Sequence, residues 1–186
     1  RSLLVTFHPV TLERQTASEQ MAELLAALAA LNDTRLIFTL PNADTDGRAL
    51  FEMIKNFVAA HSNARVFDSL GQLRYLSCVK NVDAVVGNSS SGLTEVPSFG
   101  KGTVNIGDRQ RGRLKAASVI DCAPDRSSIA AALQKLYSPQ FQATLKDVRS
   151  PYGDEGASDR VVEVLATADI SNILKKRFFD LPSVLV

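Results

Sequence analysis

The stretch Asp83-Ala84-Val85-Val86-Gly87-Asn88-Ser89-Ser90-Ser91-Gly92-Leu93-Thr94-Glu95 decides how the rest of the chain is read. Ala84 to Val86 is a short apolar run, the mark of a buried strand. Gly87 frees the backbone for a sharp turn, and Asn88 to Ser91 are residues favoured at a helix N-cap. Leu93, Val96 and Phe99 share one helical face, and Gly100 stops that helix. The pattern predicts strand, polar turn and helix N-terminus. Backbone N–H groups, serine hydroxyls and the positive helix end at such a turn all suit phosphate oxygens. Glu95, about one turn in, can accept hydrogen bonds from paired hydroxyls such as those of a ribose. The same residues also describe an ordinary capped helix with a solvated glutamate.

Working outward, strands and helices alternate about six times. The expected strands are Leu3–Phe7, Arg35–Leu40, Ala64–Phe67, Ala84–Val86, Thr103–Ile106 and Ser118–Cys122. Between them lie apolar stripes at helical spacing: Met21, Leu24, Leu25, Leu28 and Leu31, then Leu50, Met53, Ile54, Phe57 and Val58, then a short helix over Leu73–Val79. Thr16-Ala17-Ser18-Glu19 matches a capping box, Asp44 to Gly47 begins the second helix, and Asp125 caps a helix through Tyr137. A less regular stretch covers Ser138 to Ser150, with helices over Ala157–Thr167 and Ile170–Phe179 after it. This alternation predicts an α/β fold, a three-layer, doubly wound, Rossmann-like parallel sheet. Residues 1–168 form the domain and 169–186 a C-terminal helix and tail.

In such a sheet, ligands bind beyond the carboxyl ends of the strands. The polar residues gather there: His8 after the first strand, Asn42 after the second, Ser69 after the third, Ser89 and Ser90 after the fourth, Arg109 after the fifth. One pocket is expected from these consecutive strand ends. His8 either caps backbone groups or serves a departing phosphate oxygen, since its charge changes near neutral pH. His61 ends a helix, where the dipole accounts for it. Arg109, Arg111 and Arg113 alternate through a Gly-bounded loop, and a guanidinium grips phosphate as a fork. Arg109, nearest the strand, is the best placed.

Composition narrows the classes. The 186 residues are 45% hydrophobic with net charge +1, enough for a core but without a broad field for nucleic acid or an anionic membrane. No run is long enough to span a membrane, and no leader peptide is visible. Cys78 and Cys122 lack metal spacing and read as buried thiols in a reducing, cytoplasmic compartment. There is no Gly-x-Gly-x-x-Gly, no Walker motif, no nucleophile elbow and no zinc spacing, so neither metal nor cofactor is expected. Lys175-Lys176-Arg177 reads as a solvated helix end. The chain opens without Met and almost directly on a strand, so it is expected to be a piece of a longer protein.

Thr6-Phe7-His8-Pro9-Val10-Thr11, Gly87 to Gly92 with Glu95, and Val104 to Gln110 with Gly112-Arg113 together resemble the UDP-N-acetylglucosamine 2-epimerase family. The resemblance is closest to its hydrolysing branch, used in sialic acid biosynthesis, and runs to about Leu165. It implies the C-terminal, UDP-holding half of a glycosyltransferase-B type fold, with the N-terminal domain absent. It further implies that His8, Asn42, Ser69, Leu70, Ser89, Ser90, Glu95 and Arg109 border the nucleotide. Ser89 and Ser90 would hold the diphosphate, Glu95 the ribose, and the turn at Leu70 the uracil, while His8 and Arg109 would lie near the phosphate bonded to the sugar, as the catalytic pair. The implied reaction is elimination of UDP across C1–C2, then hydration with inversion at C2. The carboxylates would come from the absent domain, so the isolated chain is expected to bind UDP weakly without turnover. A glycosyltransferase of the same fold and a non-catalytic nucleotide-sugar binder are the competing readings. The family usually reads Tyr-Gly-Asp-Gly where this chain has Tyr152-Gly153-Asp154-Glu155-Gly156, one residue longer. Apolar Ile173, Leu174 and Phe178 need cover, so a homo-oligomer is expected.

Overall fold

Six strands run parallel in one sheet of order β3-β2-β1-β4-β5-β6. They are β1 (Ser2–Thr6), β2 (Arg35–Thr39), β3 (Ala64–Phe67), β4 (Ala84–Gly87), β5 (Gly102–Ile106) and β6 (Val119–Cys122). The structure is a computed structural model that describes residues 1–10, 16–41, 47–153, 156–171 and 174–175. The chain winds outward from β1 to β3, returns to β4 beside β1, then winds the other way. Neighbouring strands β1 and β4 are therefore the point where the strand order reverses, the usual ligand position of a doubly wound sheet.

Alternation along each strand feeds two cores. Leu3, Val5 and Phe7 point to one face. They pack with Met21, Leu24 and Leu28 of α1 (Thr16–Ala29), Leu50, Ile54 and Phe57 of α2 (Gly47–Ala60), and Ile129, Leu133 and Leu136 of α5 (Arg126–Leu136). Leu4 and Val85 point to the other face, against Val79 of α3 (Gly71–Asn81), Val82 and Val96, with Tyr75, Leu70 and Phe99 packed at the margin. Each such burial contributes roughly 1.5–3 kcal/mol. Thr6 and Thr39 continue the alternation of Leu4 and Ile37, so they lie at the strand ends on the α3 face.

The helix expected from Leu93 to Phe99 is broken. It forms α4 (Ser91–Thr94) and then a 3-10 turn, Val96–Phe99, that ends at left-handed Gly100. Pro97 is the cause: it has no N–H to give and its ring collides with the carbonyl four residues back. Asp125 caps α5 as expected, accepting from the Ser128 N–H at 2.9 Å. The stretch after α5 is more ordered than the sequence suggests, with α6 (Pro139–Thr144) capped by Ser138 and a 3-10 turn, Leu145–Asp147. His61 is accounted for by its helix end, its Nδ1 sharing a hydrogen bond of 2.7 Å with the Phe57 carbonyl.

The chain divides into two compact units, Arg1–Tyr152 and Gly153–Val186. The first holds the sheet. The second contains α7 (Ala157–Thr167), on which Val161, Val162, Val164 and Leu165 are all exposed, as are Ile170 and Leu174 beyond it. Of the helix expected over residues 170–179, the described positions 170, 171, 174 and 175 are turn or irregular; Ile173 and Phe178 lie outside the described residues, as do Asp154 and Glu155. Among the described residues, no helix is long and apolar enough to cross a membrane.

Candidate functional site

A cleft of about 570 Å³ opens beyond the carboxyl ends of β1, β2 and β3, on the α3 face. It is lined by His8, Ser69, Leu70 and Glu95 of the expected set, and by Thr6, Thr39, Gln72 and Tyr75. Its floor is tied across the sheet by the Thr6 and Thr39 hydroxyls, 2.6 Å apart. Ser69 is exposed, and its hydroxyl accepts the Gly71 N–H at 3.2 Å, which shapes the turn into α3. Asn42 lies outside the described residues.

Ser89, Ser90 and Arg109 do not line this cleft; they occupy the neighbouring ends of β4 and β5. Ser90 caps α4 without using its side chain. Its carbonyl takes the Leu93 and Thr94 N–H groups at 2.9 and 3.0 Å. Among the described residues, the N–H groups of Ser89, Ser90 and Ser91 have no protein acceptor, so donors remain at this turn. A four-residue helix has little macrodipole, so any anion here relies on those N–H groups and hydroxyls. Close packing fixes the turn: a Cβ on Gly92 would stand 2.6 Å from Thr103 Cγ2, and the Thr103 hydroxyl donates to the Gly92 carbonyl at 2.7 Å.

The junction between the two places is Asn88, 1% exposed. Its Oδ1 accepts the His8 N–H at 2.7 Å and its Nδ2 donates to the His8 carbonyl at 2.8 Å. Its own carbonyl accepts from Arg109 Nη1 at 3.0 Å and Gln110 Nε2 at 2.8 Å. The Asn88 N–H donates to the Thr6 carbonyl at 3.2 Å. Gly87 makes this approach possible. Its φ is 136°, and a Cβ there would sit 1.9 Å from the Thr6 carbonyl oxygen. Arg111 and Arg113 are exposed, their backbones folded into tight turns on Asp108 and Gln110.

Tyr75 was not expected at the site. The spacing of Gly71, Tyr75 and Val79 on α3 was the available signal, since it puts one stripe toward the sheet. Burial pushes its phenol up; the Ser91 hydroxyl opposes this, the Glu95 carboxylate reinforces it, and the Thr6 hydroxyl opposes it. Neither the Tyr75 hydroxyl nor the Ser91 hydroxyl has a hydrogen bond of ordinary geometry, although both are buried. At the end of β6, Cys122 is held up at about 12, first by burial and then by Asp121 and Asp125, so it stays a thiol. Among the described residues no cluster of three or more His, Cys, Asp or Glu side chains can hold a metal ion.

Fold and cleft together define a doubly wound α/β domain with a cavity beyond the carboxyl ends of β1, β2 and β3. The chain belongs to the UDP-N-acetylglucosamine 2-epimerase family, whose sequence pattern matches residues 1–166. It is 37% identical over 180 residues to the GDP/UDP-N,N'-diacetylbacillosamine 2-epimerase (hydrolyzing) of Campylobacter jejuni, covering 96% of this chain and 46% of that protein. It is 35% identical over 184 residues to the polysialic acid biosynthesis protein P7 of Escherichia coli, covering 98% of this chain and 47% of that one. The chain thus spans about half the length of the curated relatives it matches. The S. aureus MnaA–UDP co-structure shares the fold, with a TM-score of 0.71 at 15% identity over 89% of this chain and 44% of that one. The fold is the Rossmann-like half of a glycosyltransferase-B type architecture, as the sequence led us to expect.

Proposed function

We propose that this chain is the UDP-holding half of a hydrolysing 2-epimerase acting on a UDP-2-acetamido sugar in the cytoplasm. The carrying observation is the cleft beyond the ends of β1, β2 and β3, beside the β1–β4 switch point, whose lining brings together His8, Ser69, Leu70 and Glu95. A uracil fits the turn at Ser69 to Gly71, where backbone groups are exposed. Glu95 accepts the ribose hydroxyls, and the diphosphate runs toward the N–H groups and hydroxyls of Ser89 and Ser90. His8 and Arg109 then flank the phosphate bonded to the sugar, and Asn42 joins the border of the nucleotide.

The chemistry asked of these residues is leaving-group stabilisation. A base removes the C2 proton, the C1–oxygen bond breaks, and its electron pair leaves with UDP. Water then adds across the new double bond, hydroxyl to C1 and hydrogen to the opposite face of C2. Charge grows on the departing phosphate, where a guanidinium and an imidazole are worth most. The carboxylates for the C2 proton belong to the half of the protein outside this chain, so the chain alone binds UDP and does not turn over.

Two observations bear on the sugar. The family is that of the N-acetylglucosamine enzyme, whereas the Campylobacter relative is named for a diacetamido sugar. Incubating the intact protein with each UDP-sugar and assaying the free 2-acetamido sugar and UDP tests the reading. Release of an inverted free sugar supports it; transfer of the sugar to an acceptor would mark a glycosyltransferase instead. Calorimetric titration of this chain should give UDP binding that CMP does not reproduce.

A further inference from the structure

We propose that Asn88 and Gln110 are positioning residues that hold His8 and Arg109 as one unit against the phosphate side of the ligand. The proposal rests on the UDP reading of the site. Neither residue was expected in this role, and both are buried, Gln110 with 2% and Asn88 with 1% of its surface exposed.

The geometry is that of a strand continued by a side chain. Backbone pairing of β1 with β4 ends at Thr6 and Gly87. One step beyond, the Asn88 amide offers His8 an acceptor and a donor at 2.7 and 2.8 Å, as a partner strand would. An amide is the group this needs. A carboxylate would keep the acceptor but set a lone pair against the His8 carbonyl, and an alanine would leave a peptide unpaired. The clamp fixes the backbone from which the imidazole projects.

The other half of the device is the Asn88 carbonyl. Both of its lone pairs are used, by Arg109 Nη1 and Gln110 Nε2. One corner of the guanidinium is thus held while the remaining N–H groups stay available to an anion. Gln110 spends its amide nitrogen on the carbonyl, and its Oε1 is buried without a partner. A satisfied structural glutamine would use both ends. This one keeps the donor that orients the Asn88 peptide. His8 and Arg109 lie 101 positions apart in the chain, yet one asparagine residue fixes both.

The discriminating experiment compares UDP with uridine, titrated into this chain and its variants by residue-resolved NMR. Gln110→Met keeps the shape, drops the donor and gives up no acceptor bond, so it should fold. Asn88→Asp strikes the His8 clamp directly. We expect UDP affinity to fall about tenfold for Gln110→Met and about a hundredfold for Asn88→Asp, with uridine shifts at Ser69 to Gly71 and Glu95 unchanged. Equal losses for UDP and uridine, or no loss in Gln110→Met, would overturn the proposal. Should the parent chain ignore UDP altogether, the UDP reading fails separately. The positioning role is then decided in the free chain: guanidinium N–H exchange at Arg109 must accelerate at least several-fold in Gln110→Met, and an unchanged rate refutes it.

Discussion

The two shoulders of the β1–β4 switch point are built by opposite means. On the β2–β3 side the walls include a short turn, exposed Ser69 and half-buried Leu70, over a floor tied by the pair of threonine hydroxyls. On the β4–β5 side a single buried residue, Asn88, gathers His8, Arg109 and Gln110 through four hydrogen bonds between 2.7 and 3.0 Å. The open shoulder offers the proposed uracil site a short turn held by one hydrogen bond, from the Gly71 N–H to the Ser69 hydroxyl. The tied shoulder fixes the His8 backbone and one corner of the Arg109 guanidinium without any ligand, which is what the proposed stabilisation of a leaving phosphate would require. Preorganisation belongs where charge changes, and a lightly held turn suffices where only recognition is needed.

Substitutions can break or sharpen that contrast. The largest effect belongs to Gly87→Ala. Its methyl would sit 1.9 Å from the Thr6 carbonyl oxygen, at a positive φ. A loss of roughly 4 kcal/mol or more is expected, read as collapse of the cooperative urea transition. Asn88→Ala comes next at roughly 3 kcal/mol, since it strands the His8 peptide. Thr39→Val, on the open shoulder, should cost only about 1 kcal/mol in the same assay. If Thr39→Val matches Asn88→Ala, the two shoulders are equally rigid and the contrast is wrong. Arg109→Ala should leave the unfolding midpoint within about 0.5 kcal/mol of the parent, because its side chain is exposed, while UDP affinity falls about tenfold.

The smallest effect lies away from the cleft, at the cap of α5. Asp125 is held down at about 2 from an ordinary 3.8, chiefly by the Ser127 hydroxyl, then by Ser128. A carboxyl lowered in the folded state stabilises above its unfolded value and loses that contribution as pH falls through the folded one. The stability gap between the parent chain and Asp125→Ala should therefore be constant above pH 4 and shrink from there toward pH 2. A gap that grows on acidification would contradict the capping role.

The sheet was legible because burial on both faces writes short apolar runs, and the turn residues after them mark the strand ends. Val85 and Val86 face opposite cores yet read as one run, which is what a parallel sheet demands. Strand-end logic placed His8 and Ser69 beforehand, whereas Leu70 followed from the family resemblance and Glu95 from its place one turn into a helix; the same logic put Ser89, Ser90 and Arg109 in the one cleft, which they do not line. Asn88 was legible only as a cap, because its true partner is 80 positions away and no local period encodes that. Gln110 was hidden for the same reason, its partner Asn88 lying 22 positions away. The single helix expected through Phe99 overlooked Pro97, a purely local signal that was available.

The most direct test is an amide-NMR titration of the chain with UDP, with CMP as control. Shifts are expected at His8, Ser69 to Gly71, Ser89 to Glu95 and Arg109, saturating with UDP and weak or absent with CMP. Shifts clustered elsewhere, for example in the cavity between Arg1, Lys101 and Lys146 at the opposite end of the sheet, would contradict that expectation.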